Sequence, residues 1–234
     1  MKMKGFRKKW CSFWVSRSSL SFFGRLAARL ASWGTHPYFG RIYLARIYKG
    51  GYISPHAQIC HNRFKYGPKI FIDDRALVYE DVDWFNDTGD GGSVEFGMGV
   101  HIHRDTVIQT GAGGSLLIGD RTHIQPRCQI SAYVSEIRIG SHVEIAPNCA
   151  FYPYNHGTEP GENIAEQAIT SKGGIVIEDD VWLGFGVIVL DGVTIGKGAV
   201  IGAGSVVTSS IPANAIAVGN PARVVKSREP ESGR

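Results

Sequence analysis

Over the last third of the chain an aliphatic residue returns at every sixth position, at Ile177, Leu183, Val189, Ile195, Ile201 and Val207. A small or β-branched residue follows four places on, at Val181, Val187, Val193, Ala199 and Ser205, and glycine follows directly at Gly184, Gly196 and Gly202. A strand alternates with a period of two and a helix with one of about 3.6, so this rhythm belongs to neither. It fits a chain wound as a prism, in which each hexad makes one short strand and one corner and three hexads make a coil. The register continues upstream in pieces: Ile139, Ile145 and Phe151; Ile118, Ile124 and Ile130; Phe96, Ile102 and Ile108; then Ile72 with Val78, and Ile53 with Ile59. About seven such coils, stacked at the strand spacing of roughly 4.8 Å, predict a rod about 30 Å long.

The expected fold class is therefore mainly β, a parallel β-helix over residues 51–226. A basic helical segment precedes it over 1–50, and a short disordered tail follows over 227–234. The repeat breaks where extra residues must loop out of a corner. The longest break, 152–174, contains Tyr154-Asn155-His156-Gly157-Thr158-Glu159-Pro160. Long loops in a compact repeat are usually functional or disordered.

Charge changes the picture at the N-terminus. Residues 1–72 hold 14 of the 25 Lys and Arg and none of the 21 Asp and Glu, which points to an anionic partner surface. Trp10, Phe13, Trp14, Phe23, Leu26, Ala27 and Leu30 recur at three- and four-residue spacing, with Arg17, Arg25 and Arg29 among them. Such a helix suits a membrane interface better than nucleic acid. Packing of the apolar face on the rod or on a sister subunit explains the same pattern, and an Arg-rich, acid-poor targeting segment is a third reading. No apolar run reaches the roughly 20 residues that span a bilayer. Cys128 and Cys149 occupy the inward small-residue position and read as small hydrophobes. The absence of a disulfide pattern fits a cytoplasmic location, peripheral on the inner membrane face if the leader binds lipid.

The residues Val181-Trp182-Leu183-Gly184, Ile201-Gly202-Ala203-Gly204-Ser205-Val206-Val207-Thr208 and Gly219-Asn220-Pro221-Ala222-Arg223-Val224 resemble hexapeptide-repeat acetyltransferases. The maltose/galactoside acetyltransferases and the O-acetyltransferases of bacterial surface polysaccharides are the most similar groups. The resemblance implies a left-handed β-helix and a homotrimer with acetyl-CoA, the acyl donor, between subunits. His156 aligns with the family's catalytic histidine, a general base suited to deprotonating a saccharide hydroxyl. By the same carry-over, the N–H groups of Phe185 and Ala203 meet the thioester or its oxyanion. Trp182, Gly184, Gly202, Gly204, Ser205, Arg223 and Lys226 fall on the CoA side, the last two toward its phosphates. Asn155 and Gln125 fall on the acceptor side, and Glu159 is a candidate to orient the imidazole. Apart from the resemblance, Trp84 and Phe85 in the acidic loop 81–90 suit sugar stacking at the acceptor side. Gln125 stands where the family often has Asn, and Ser209 where many members have Lys.

Two other classes share the hexapeptide rod. Hexapeptide rods include γ-class carbonic anhydrases, in which three histidines bind zinc, and His101, His103, His123 and His142 are the candidates here. The close histidine pair of that family is missing and the Asn-Pro-Ala-Arg ending is foreign to it, so no metal is expected. A non-catalytic β-helix scaffold is the remaining reading, disfavoured by His156. The expected function is acetyl-CoA-dependent O-acetylation of a saccharide, free or lipid-linked, in surface-polysaccharide biosynthesis.

Overall fold

The computed structural model describes residues 5–37, 39–81 and 92–229. Among them, three long parallel sheets form the sides of a prism. The first face runs from Tyr52–Ile53 through Phe71–Ile72, His101–Ile102, His123–Ile124, Glu144–Ile145, Trp182–Leu183 and Val200–Ile201 to Ala215–Val218. The second face has seven strands, from Gln58–Cys60 to Val206–Val207, and the third has six, from Phe64–Tyr66 to Thr194–Ile195. Seven coils result, in agreement with the hexad count. Ile72, Ile102, Ile124, Ile145, Leu183 and Ile201 stand in register up the first face and are fully buried. The first coil closes through Phe64 and Tyr66, aromatic residues in a stretch where the aliphatic pattern suggested only a loop.

The corners explain the polar residues between hexads. Arg75, Asp105, Arg127 and Asn148 all take positive φ, between 57° and 63°, at equivalent turns of successive coils. That conformation is strained for residues with a side chain. Side-chain ladders offset the cost: Arg75 grips Asp105 at 2.7 and 2.9 Å, and Arg127 donates to Asn148 at 2.9 Å. Cys128 and Cys149 point inward, their thiols on the carbonyls of Ala146 and Gly184. Hydrogen bonding to Cys149 and burial push the Cys128 thiol up, which keeps it inert.

Three helices, α1 (Gly5–Val15), α2 (Phe22–Ser32) and α3 (Phe39–Ile47), cap the N-terminal coils. Cys11, Val15, Ala28, Ala31, Leu44 and Ala45 pack with Tyr52 and Phe71 of the first face, flanked by Trp10 and Trp14. Arg25 of α2 donates to the carbonyls of Pro55 and Ala57, and buried Asp73 receives Arg41 of α3 at 3.1 Å. The cap therefore uses one apolar set for packing and leaves a second outside. Phe6, Phe22, Phe23, Trp33 and Phe39 are each at least 69% exposed. Among the described residues no helix is long and apolar enough to cross a membrane.

The expected disordered tail is corrected in part. Arg223–Ser227 returns antiparallel along Ala215–Val218, and Arg228 continues the contact through its N–H to Asn214 and its guanidinium to Gly198. The hairpin satisfies the last edge of the first face, which otherwise would stay unpaired.

Candidate functional site

The long interruption is a folded loop at the corner between the second and third faces. Asn155–His156 pairs antiparallel with Ile169–Thr170, with His156 opposite Ile169. Gln167 organises the tip: its amide accepts from Glu159 N–H at 2.8 Å and donates to the carbonyls of Glu159 and Glu162. Ser171 fixes the base through Pro153 O at 2.6 Å, and Lys172 N–H bonds the buried Asp191 at 2.8 Å. His156 is thus held by backbone pairing while its imidazole is exposed and makes no hydrogen bond among the described residues. The loop grips the backbone of Glu159, and no bond joins the two side chains.

At the corner between the first and second faces, successive coils place Pro126, Pro147, Phe185 and Ala203 in one column. Each follows a residue whose N–H bonds the coil below: Gln125, Ala146, Gly184 and Gly202. Proline carries no N–H. The N–H groups of Phe185 and Ala203 are present and engaged by no other group of the described chain. Both predicted thioester contacts are therefore available donors on adjacent coils, and Phe185 and Trp182 are each more than half exposed beside them.

The glycines divide by role. A Cβ at Gly184 would lie 2.6 Å from Ala203 N, and one at Gly202 2.7 Å from Val218, so these two serve close stacking of coils. Gly204, at φ +69°, faces open space and leaves the corner accessible. The expected cofactor contact of Ser205 is overturned: the side chain is fully buried and accepts from Gly219 N–H at 3.0 Å. It fills the inward small-residue slot of its hexad, where no ligand can reach. Arg223 and Lys226 lie exposed on the terminal hairpin, pairing in backbone register with Val218 and Ile216.

On the acceptor side, Asn155 is exposed opposite Thr170, and Gln125 is half-buried at the corner between the first and second faces. Trp84 lies outside the described residues. Sequence reasoning missed a tyrosine cluster where the His156 loop leaves the rod. Tyr154 sits between Tyr133 and Tyr152, with ring centroids 5.4 and 6.0 Å away, and Tyr152 donates to Gln129 at 2.8 Å. Burial and the neighbouring Tyr154 push the Tyr152 phenol up, so it stays a donor. Its signal was the Tyr152-Pro153-Tyr154 run, which pattern-reading treated only as loop.

The histidines considered for zinc do not assemble. His101 and His123 stack face to face, 4.4 Å apart and 14° from parallel, and His123 pairs with Glu144 at 3.0 Å. Among the described residues no group of three or more His, Cys, Asp or Glu is arranged to hold a metal ion. Burial, then the neighbouring His123, drives His101 down to about 3; burial drives His103 down to about 4, against the pull of Asp73.

A three-faced rod of hexad coils with a folded histidine loop defines the class of hexapeptide β-helix proteins. The family described as bacterial transferase hexapeptide (six repeats) matches residues 174–209. The chain is 43% identical over 90 residues to the galactoside O-acetyltransferase of Lactococcus lactis subsp. lactis (strain IL1403), covering 38% of this chain and 42% of that protein. It is 32% identical over 152 residues to the "Putative lipopolysaccharide biosynthesis O-acetyl transferase WbbJ" of Escherichia coli (strain K12), covering 60% of this chain and 75% of that one. The solved structure of the polySia specific acetyltransferase NeuO superposes with a TM-score of 0.56 at 26% identity, over 76% of this chain and 72% of that chain. The chain belongs to the hexapeptide-repeat acetyltransferases, and its rod is their left-handed β-helix. It spans a little under half the length of the first curated relatives it matches, at 42%, 46% and 45%.

Proposed function

We propose that the protein transfers the acetyl group of acetyl-CoA to a saccharide hydroxyl, with His156 as general base. The observation that carries this reading is that one rod presents both an unengaged imidazole on a braced loop and, at another corner, two uncommitted N–H groups at Phe185 and Ala203. His156 takes the hydroxyl proton as the oxygen attacks the thioester carbon. The two N–H groups receive the oxyanion of the tetrahedral intermediate. The C–S bond then breaks, and the imidazolium returns its proton to the departing thiolate. Arg223 and Lys226 would meet the CoA phosphates, and Trp182 the pantetheine arm.

The tyrosine cluster at the loop root supports a sugar acceptor, since tyrosines offer a flat apolar face with a hydroxyl at its edge. The names of the relatives, galactoside and lipopolysaccharide O-acetyltransferases, support the same substrate class and a role in bacterial surface polysaccharide.

The working unit is a homotrimer. The outward residues of the third face include Lys65, Glu95 and Arg138, ion-paired and exposed, which suits solvent. Those of the second include Leu77, Val107, Ala150, Ile188 and Val206, and the first carries Trp182 and Val200. Setting the first face of one copy toward the second face of the next would lay the His156 loop at the junction. The location is cytoplasmic, where acetyl-CoA is made. The exposed Phe6, Phe22, Phe23 and Trp33, set in an acid-free segment, support peripheral attachment to an anionic membrane.

Thiol release from acetyl-CoA, followed across a panel of glycans and lipid-linked precursors, tests the reaction. Full transfer by the His156→Ala protein would sink the mechanism. The F22S/F23S variant should bind phosphatidylglycerol vesicles about tenfold more weakly than the parent. Equal sedimentation of the two proteins would remove the membrane reading.

A further inference from the structure

The helical cap covers the first face only as far as Tyr52 and Phe71. Below its edge two hollows of about 510 and 570 Å³ share His142 and Glu144 and run on into one groove. The end beside the cap is bordered by Arg46 of α3 and by Lys69 and Arg121, each from a different corner or helix. None of these three cations makes an ion pair or a side-chain hydrogen bond among the described residues. Arg75 and Lys65, by contrast, are paired with Asp105 and Glu95. The groove also holds two acids, both away from the cap: Glu144 contacts His123 at 3.0 Å and Asp180 pairs with Arg228 at 3.5 Å. The floor is the His101–His123 stack, and burial keeps His101 neutral, so it adds hydrogen-bonding capacity without further charge. The far end of the groove carries the exposed Trp182.

Three cations gathered on one hollow repel each other, and a polyanion relieves that cost. A carboxylate supplies one charge and two oxygens; a diphosphate supplies at least two charges and a spread of oxygens that separate guanidinium and ammonium groups can share. We infer that the Arg46–Lys69–Arg121 end of this groove is a diphosphate subsite, so that the acceptor is a diphosphate-linked saccharide. The inference rests on the proposed transfer to a saccharide and narrows its substrate class. Nucleotide-linked and polyprenyl-linked saccharides share this chemistry. The groove opens beside the cap that carries the exposed aromatics, which places a lipid-linked acceptor with its diphosphate at the basic end and its sugar further along the groove.

Titration calorimetry on the full chain with inorganic pyrophosphate tests the subsite without relying on turnover. Pyrophosphate should bind, and Arg121→Ala or Lys69→Ala should each weaken it about tenfold, some 1.4 kcal/mol. The R46A/K69A/R121A protein should lose pyrophosphate binding and keep acetyl-CoA binding, which also reports that it is folded. Undiminished pyrophosphate binding in the triple variant overturns the inference. So does a parallel loss of acetyl-CoA binding, because the cations would then belong to the donor's phosphates. Displacement of pyrophosphate by a polyprenyl diphosphate saccharide or by a nucleoside diphosphate sugar supports the subsite and names its source, and displacement by neither overturns it. Failure here with His156-dependent transfer intact removes the subsite alone. Loss of transfer by the parent protein across all acceptors removes the broader reading.

Discussion

The coils of the rod and the loop that interrupts them are held together by different physics. A coil is secured by buried aliphatics in register and by backbone bonds to the coils on either side, repeated until the ends are capped. The loop has almost no apolar content to bury. Its shape depends on a two-residue hairpin, the amide of Gln167 and the hydroxyl of Ser171. The contrast assigns stability to the coils and, under the proposed mechanism, chemistry to the loop, so each should fail without the other.

Loss of the imidazole gives the largest effect. His156→Ala should lower turnover by about 10²–10⁴-fold, the usual worth of a general base. Its thermal midpoint should match the parent, because the side chain bonds nothing else among the described residues. A midpoint that falls with activity would break the separation. Leu183→Ala should do the reverse. It empties a fully buried position in the stack and should cost about 3 kcal/mol, read as a lower denaturant midpoint. The surviving folded fraction should retain acetyl-CoA affinity.

A third effect is acid sensitivity of the rod. His101 and His103 are held at about 3 and 4, whereas an unfolded histidine titrates near 6.5. Between those values the unfolded chain binds more protons, so stability falls as pH drops from about 6.5 toward 4. Above 6.5 both states are neutral at these positions and the contribution is constant. The thermal midpoint should therefore decline from pH 7 to 4.5, and His103→Gln should flatten part of the decline. An unchanged slope in that variant would show that the acid response lies elsewhere.

Much of this could be read from sequence because a periodic fold writes itself periodically. The inward residues Ile145, Leu183 and Ile201 must be apolar and equivalent, so their spacing gave the coil count directly. His156 stood out for the opposite reason, as the histidine of the longest break. Ser205 was misread although its own register placed it inward; the family motif outweighed its position in the hexad. The packing and exposed sets of the helical segment interleave at one spacing, so sequence left both fates open, and Trp10 and Phe22 show that both occur. The groove cations come from a helix and two corner turns far apart in sequence, and only stacking of coils brings them together.

Pro126 and Pro147 bear on a difficulty peculiar to such rods. A stack of equivalent coils has translational symmetry, and a ligand lying along it could slide by one coil and find the same surface again. A single address for the reacting carbon requires that symmetry to be broken. The prolines do so by deleting one hydrogen atom per coil on the two steps before Phe185, leaving donors at Phe185 and Ala203 as the next two rungs. Nothing in the prism's shape changes, yet one register along an otherwise uniform column becomes chemically distinct.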